Sequence, residues 1–390
     1  MIKKIAIALF ALLLGAQELE TTKQDREQKP YPQTLRLIFI GDVMMHQSQL
    51  DAAKRSAKRS AKSSAKSPDS WDFKPSFAPI KRHFKQEQKP LVIANLETTL
   101  NDEASGYPSF SAPDTLAQSL RWLGVDVLTL ANNHIFDKGA SGALRSMRVL
   151  EHFGLAHVGL GHNKESAAKP LLIEREGFRV AIANYSYGSN APQPRGLAIN
   201  VISEENIVKG LESARALKPD LIVLCLHWGQ EYESAFNKAQ ERVARLAARH
   251  GADLIIGTHP HVLQGFSLLD GSGQSFGGKS LVAWSLGNFI SAQQKVPRER
   301  SVLLAVDLKR DEGGKALIHK ALIAPIRVKM LVDKSGAKRY ELESLESLKE
   351  ALFSKQAQAS KQILQELLKD FKADEAWADA WGFYEMDLSR

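Results

Sequence analysis

The chain has 390 residues, 44% of them hydrophobic and 25% charged, a balance that supports a real core and excludes disorder throughout. Its formal charge is +8, but Lys54, Arg55, Lys58, Arg59, Lys62 and Lys66 crowd into one short segment, so the excess is largely local. Without an aromatic-interleaved basic surface, that charge does not point to a nucleic-acid partner. A single cysteine, Cys225, excludes both a disulfide framework and a thiolate metal cluster within the chain.

Lys3 and Lys4 precede the wholly apolar run 5–14 and then Gly15-Ala16-Gln17, the order of a signal peptide cleaved near Ala16. The apolar run is short for a membrane span, with an uncleaved anchor as the alternative, and no cysteine follows it to carry a lipid. The expected location is therefore the periplasm or cell envelope. Residues 17–33 read as a polar linker, and the main domain is expected over 34–330. Its first strand, 35–40, ends in Gly41-Asp42 and so delivers a carboxylate.

Within 52–68 the repeats are rich in alanine, serine and lysine, with no evident apolar face. They are expected to form a solvated insertion, the alternative being an electrostatic patch for an anionic polymer or lipid headgroups. Strands are then expected at 91–94, 125–130, 179–185, 221–226, 253–256 and 281–286. Helices are expected over 115–123, over 140–153 with Gly154 as its stop, and over 234–250 with Gly251 as its stop. Cys225 falls inside one of these apolar runs and is expected to pack in the core. The alternation indicates an α/β fold with substantially parallel sheets. An antiparallel pair, 302–308 and 316–328, is expected around the turn 311–314. A charged helical extension is expected over 340–390, its apolar stripe continuing to Trp377 and Trp381.

The strand ends carry the chemistry. They present Asp42, Asn95 and Glu97, Asn133 and His134, His227, and the pair His259 and His261. Strand ends in α/β folds are where sites collect. Asn132 and Asn133 taken alone would serve equally well as caps for the helix beginning near Gly139. Imidazoles, carboxylates and an amide oxygen arriving together instead suit a two-metal site, which needs three or four protein ligands per ion with one shared. In an extended His259-Pro260-His261 segment, alternation would point both imidazoles the same way while Pro260 stiffens the backbone.

Six motifs follow in order: Gly41-Asp42-Val43-Met44, Asn95-Leu96-Glu97-Thr98, Asn132-Asn133-His134-x-x-Asp137-x-Gly139, His227-Trp228-Gly229-x-Glu231-Tyr232, Gly257-Thr258-His259-Pro260-His261 and Ser285-Leu286-Gly287-Asn288-Phe289. From about residue 35 to 325 the chain resembles the CapA (PgsA) capsule and poly-γ-glutamate synthesis family, part of the calcineurin-like metallophosphoesterase superfamily. The resemblance implies a four-layer αββα sandwich and two divalent metal ions, manganese, iron or zinc, at the strand ends. It implies that Asp42 and His261 hold the first ion, Glu97 bridges, and Asn133, His227 and His259 hold the second. His134 would then be free to protonate a leaving oxygen, with Asp137 orienting it.

The chain departs from the superfamily pattern where relatives have Asp-x-His, because it has Asp42-Val43-Met44; His46 is a candidate replacement. Glu97 also stands where many relatives have Asp. Two functions follow from the resemblance. One is a metal-dependent hydrolase acting on a phosphoester in the synthesis of capsule, poly-γ-glutamate or another envelope polymer. The other is a non-catalytic component that binds or exports an anionic polymer beside membrane-bound synthase partners.

Overall fold

In the computed structural model the described residues are 34–60, 70–273, 277–344, 373–378 and 384–386. The expected signal peptide and linker, residues 61–68 of the basic stretch and 345–372 of the C-terminal extension lie outside them. No helix among the described residues is long and apolar enough to cross a membrane.

The chain first lays down four parallel strands, β1 (Thr34–Val43), β2 (Leu91–Leu96), β3 (Val127–Thr129) and β4 (Ala156–Val158). It then builds a second sheet from β5 (Leu171–Arg175), β6 (Phe178–Ser186), β7 (Leu221–His227), β8 (Leu254–Thr258), β9 (Leu263–Asp270) and β10 (Lys279–Leu286). Finally it returns to the first sheet with β11 (Asn288–Ile290), β12 (Arg300–Arg310), β13 (Ala316–Val332), β14 (Lys338–Ser344), β15 (Ala373–Ala378) and β16 (Tyr384–Met386). The first sheet runs β15-β16-β13-β12-β1-β2-β3-β4, with β11 beside β1 and β14 beside β13; the second runs β9-β10-β8-β7-β6-β5.

Alternation along the strands separates the layers. Leu35, Leu37 and Phe39 of β1 face Val180 and Ile182 of β6 and Val223 and Cys225 of β7 across the space between the sheets. Ile38 and Ile40 point the opposite way, into a core shared with Leu116 and Leu120 of α2 (Thr115–Leu123) and Leu150 of α3 (Gly139–His152). Ala181 and Tyr185 of β6 and Leu224 of β7 pack on Leu211 of α4 (Glu204–Ala216) and Ala244 of α5 (Lys238–Arg249). Each sheet therefore has one face on the other sheet and one on helices, the αββα sandwich expected from the resemblance. A side chain such as Phe39, 1% exposed between the sheets, would cost about 3–5 kcal/mol if cut back to alanine.

Some helix boundaries are set by local chemistry. Helix α5 starts at Lys238 rather than in the expected 234–237, because Asn237 caps it by accepting from the amides of Ala239 and Gln240. Helix α3 stops at Gly154, which takes a φ of 65°.

Two expectations need correction, and two strands were not expected. Residues 47–60 form α1 (Gln47–Ser60), and this helix does have an apolar face: Leu50, Ala53 and Ala57 are buried, so the first part of the basic stretch belongs to the domain. The expected helical tail is, where described, made of strands. Residues 338–344 pair with β13 because Tyr340, Leu342 and Ser344 alternate inward, and 373–378 and 384–386 extend the same sheet. Lastly, 171–175 and 263–270, unassigned in the sequence reading, are antiparallel edge strands of the second sheet.

Candidate metal centre

The parallel strands of both sheets point their carboxyl ends at one place. A carboxylate reaches it through an irregularity: the register of β1 shifts around Gly41 and Asp42 on both sides, the kind of bulge that re-aims a side chain. Gly41 is required there, since a Cβ would lie 1.9 Å from the Gly287 carbonyl oxygen. That carbonyl also accepts the Asp42 amide at 3.0 Å. Asp42 is fully buried, with Oδ1 accepting from Asn95 Nδ2 at 2.8 Å and Oδ2 accepting from the His259 amide at 3.3 Å.

Glu97 follows β2 and is the most demanding group in the molecule. It is fully buried and neither carboxylate oxygen has a hydrogen-bond partner. Its nearest imidazole nitrogens are His227 Nε2 at 3.5 Å and His261 Nε2 at 3.7 Å. Burial, and then the charge of Asp42, push its pKa well above the ordinary value. A carboxylate so placed is costly unless a positive charge joins it.

Ligand atoms gather around it in overlapping sets. Asp42, Glu97 and His261 bring donor atoms within 4.8 Å of one another, and so do Glu97, His227 and His259. Glu97 is common to both sets. Asn133 joins the second through Oδ1, 2.8 Å from His227 Nε2, while its Nδ2 is buried without a partner. His227 Nδ1 lies 3.0 Å from the Thr258 hydroxyl, which fixes the ring from behind.

Burial keeps two of these imidazoles, His227 and His259, neutral. Burial, then the neighbouring charge of His261, lowers His259 to about 4. Burial and His259 hold His227 well below the ordinary value. Neutral imidazoles keep the lone pair that a cation needs. His259 and His261 have φ of 98° and 58°, so the His-Pro-His segment is not the extended stretch expected from its sequence. Two left-handed residues bring the rings to a centroid separation of 6.0 Å. Such strain costs of order 1–3 kcal/mol per residue and persists where surrounding structure enforces it. The carboxylates, neutral imidazoles and unpartnered Glu97 oxygens together fit divalent cations.

His134 stands apart from these ligand sets. Its Nδ1 is 2.8 Å from Asp137 Oδ2, which also accepts from the Phe110 amide at 2.7 Å. Phe110 packs edge-on against the His134 ring at 4.8 Å. Asn132 does not cap α3, whose N-cap makes no side-chain bond. Asn132 instead donates to the Leu96 carbonyl and accepts from the His134 amide.

Three features, Glu231, Tyr187 and Asn288, were not assigned from sequence, and the candidate His46 falls outside the ligand sets. Glu231 forms a third set with His259 and His261; it lies inside a quoted motif and could have been counted there. His46 belongs to none of the three sets. Its Nδ1 accepts from the Ala292 amide at 3.3 Å and its ring packs edge-on against Phe110. Tyr187, 45% exposed, covers His227 and His259 at ring separations of 6.2 and 4.7 Å. Its loop also grips Asn133, whose carbonyl accepts from the Asn190 amide at 2.8 Å. Asn288 reaches the back of His261, donating from Nδ2 to that residue's carbonyl at 3.2 Å.

The model of a family described as "Bacterial capsule synthesis protein PGA_cap" matches residues 36–293. The chain is similar to the capsule biosynthesis protein CapA of Bacillus anthracis, 31% identical over 212 residues, or 52% of this chain and 49% of that protein. It is similar also to the PGA biosynthesis protein CapA of Bacillus subtilis, 28% identical over 224 residues, 55% of this chain and 57% of that protein. The chain thus spans about half the length of these curated relatives. Among solved structures, the NAD nucleotidase NadN of Haemophilus influenzae aligns at 12% identity and a TM-score of 0.46, over 85% of this chain and 62% of that one. The sulfate thiohydrolase SoxB of Thermus thermophilus aligns at 15% and 0.41, over 88% and 61%. Likenesses this loose carry no argument about chemistry.

Proposed function

The chain belongs to the bacterial capsule synthesis protein family PGA_cap, and from that premise we propose that it is an exported protein of capsule or envelope-polymer synthesis with a dinuclear metal centre that hydrolyses a phosphoester or related bond. The observation that carries this is the buried Glu97 carboxylate, both oxygens unpartnered, between two imidazoles. Export rests on the charged-then-apolar order of residues 1–16.

In this reading Asp42, Glu97 and His261 hold one ion, and Glu97, Asn133, His227 and His259 the other. Divalent ions bound there supply Lewis acidity at the reacting centre. The chain supplies the proton: when His134 is the imidazolium, Nδ1–H donates to Asp137 and the second proton, on Nε2, passes to a leaving oxygen and leaves the ring neutral. Asp137 fixes the tautomer and, anchored by the Phe110 amide, the ring orientation. Tyr187 helps keep water away from His227 and His259.

A second reading, a non-catalytic component that binds or exports the polymer, is favoured by Met44. It is 2% exposed and stands where hydrolytic relatives carry an imidazole. Elemental analysis and a phosphoester assay on wild type, Asn133→Ala and His259→Ala separate the two. The hydrolase reading expects about two ions per chain and turnover that both variants abolish. Protein that carries no metal from any medium would sink it, and bound metal without turnover would favour the second reading.

A further inference from the structure

Beside the metal centre lies an arginine with nothing to hold. The Arg298 guanidinium stacks on the Tyr232 ring, its carbon 3.3 Å from the centroid. Among the described residues it makes no hydrogen bond and no ion pair. The nearby carboxylate Glu231 is grouped with His259 and His261 instead. An arginine clamped flat on a ring presents its N–H edges in one plane, the geometry that matches a carboxylate or phosphate.

Both layers of the stack are anchored to the site. Tyr232 has a φ of 68° and its amide donates to the Pro260 carbonyl at 2.8 Å, so its backbone is tied to the His-Pro-His segment. Its ring is 6.0 Å from that of His261. Arg298 is tied from the other side: Asn288 Nδ2 donates both to the Arg298 carbonyl at 3.0 Å and to the His261 carbonyl at 3.2 Å. One buried amide therefore sets the position of the arginine relative to a metal-site histidine. Tyr232 is 39% exposed, which leaves the stack open to a ligand.

We propose that Arg298 on its Tyr232 platform is a substrate-positioning subsite that grips an anionic group, carboxylate or phosphate, of a ligand whose reacting bond lies at the metal centre. The inference rests on the reading of that centre given above, and it adds the ligand's charge. A ligand with one anionic group on Arg298 and its labile bond at His261 must carry negative charge close to the bond that reacts. An acidic polymer or a phosphorylated precursor satisfies this, and a neutral glycan does not.

The test is calorimetric titration of the full protein, as purified, with inorganic phosphate and separately with oligo-γ-glutamate. Arg298→Gln, Arg298→Lys and the control Arg242→Gln are compared with wild type, with metal content measured on each. Losing charge-assisted hydrogen bonds should weaken the probe that binds about ten- to hundredfold in Arg298→Gln. Lysine should restore part of the affinity, and Arg242→Gln, which loses an exposed pair with Glu204, should bind as wild type does. Sensitivity confined to phosphate identifies a phosphorylated ligand, and sensitivity confined to oligo-γ-glutamate a carboxylate polymer. Wild type that binds neither probe, Arg298→Gln that binds both normally, or weakening that tracks loss of metal would each overturn the proposal. Absence of metal in every preparation would overturn the hydrolase reading while the Arg298 comparison still stood.

Discussion

Glu97→Gln should stabilise the metal-free protein and abolish its stabilisation by metal. In metal-free protein the Glu97 carboxylate is fully buried without a hydrogen bond, and burial together with Asp42 holds its pKa well above 4.5. Below pH 4.5 the folded and unfolded carboxyls both carry the proton, and the group costs nothing by this route. As pH rises further the unfolded chain releases its proton first, and each pH unit costs the fold about 1.4 kcal/mol until the folded carboxyl also ionises. Glutamine has nearly the same shape and never ionises, so it escapes that cost while leaving one amide to satisfy. With the effective penalty for a buried unpaired ion at several kcal/mol, the metal-free variant should melt about 5 °C or more above metal-free wild type near pH 7. The gap should close toward pH 5. Adding manganese or zinc at about 100 times its Kd should raise wild type by roughly 2.7 kcal/mol and the variant by much less. Thermal unfolding at pH 5 and 7, with chelator or with metal, reads all of this. A metal-free variant that melts below wild type, or equal stabilisation of both proteins by metal, would refute the reasoning.

Asp137→Asn should lower kcat in the phosphoester assay by about 10² or more, with metal content unchanged, because His134 loses the carboxylate that fixes its tautomer; unchanged kcat would remove His134 from the chemistry. Gly41→Val should destabilise by more than about 3 kcal/mol in chemical denaturation, since its Cβ would meet the Gly287 carbonyl at 1.9 Å; wild-type stability would mean the two strands separate easily. Cys225 is buried between the sheets with its thiol pushed up to about 12 by that burial. At pH 8 the thiolate fraction is then on the order of 10⁻⁴, so a disulfide reagent should label Cys225 at the rate of unfolding and no faster.

Local patterning made the layers legible. Runs such as 35–40, 221–226 and 281–286 are apolar on both faces, which only a sheet covered on both sides requires, and all three are buried strands. The edge strands 171–175 and 263–270 escaped notice because they are half-solvated and carry mixed residues. At the start of the C-terminal extension, 338–344 forms a strand because Tyr340, Leu342 and Ser344 alternate inward along an edge that β13 offers only once the sheet is built.

For the site, the sequence by itself supplied the candidates: Asp42, Glu97, Asn133, His134, His227, His259 and His261, at or shortly after strand ends, where a backbone that has left the sheet can aim side chains at a ligand, with Asp137 further along before α3. What only the tertiary structure decided was how these distant residues are brought together. Residues 217 positions apart, such as Asp42 and His259, meet because two sheets converge. The site also depends on a bulge and two left-handed histidines, neither of which a periodicity reveals. Arg298 shows the limit most clearly. In the sequence it is one basic residue among 52 lysines and arginines. Its meaning depends on a ring 66 residues away and on an asparagine amide that ties its backbone to His261.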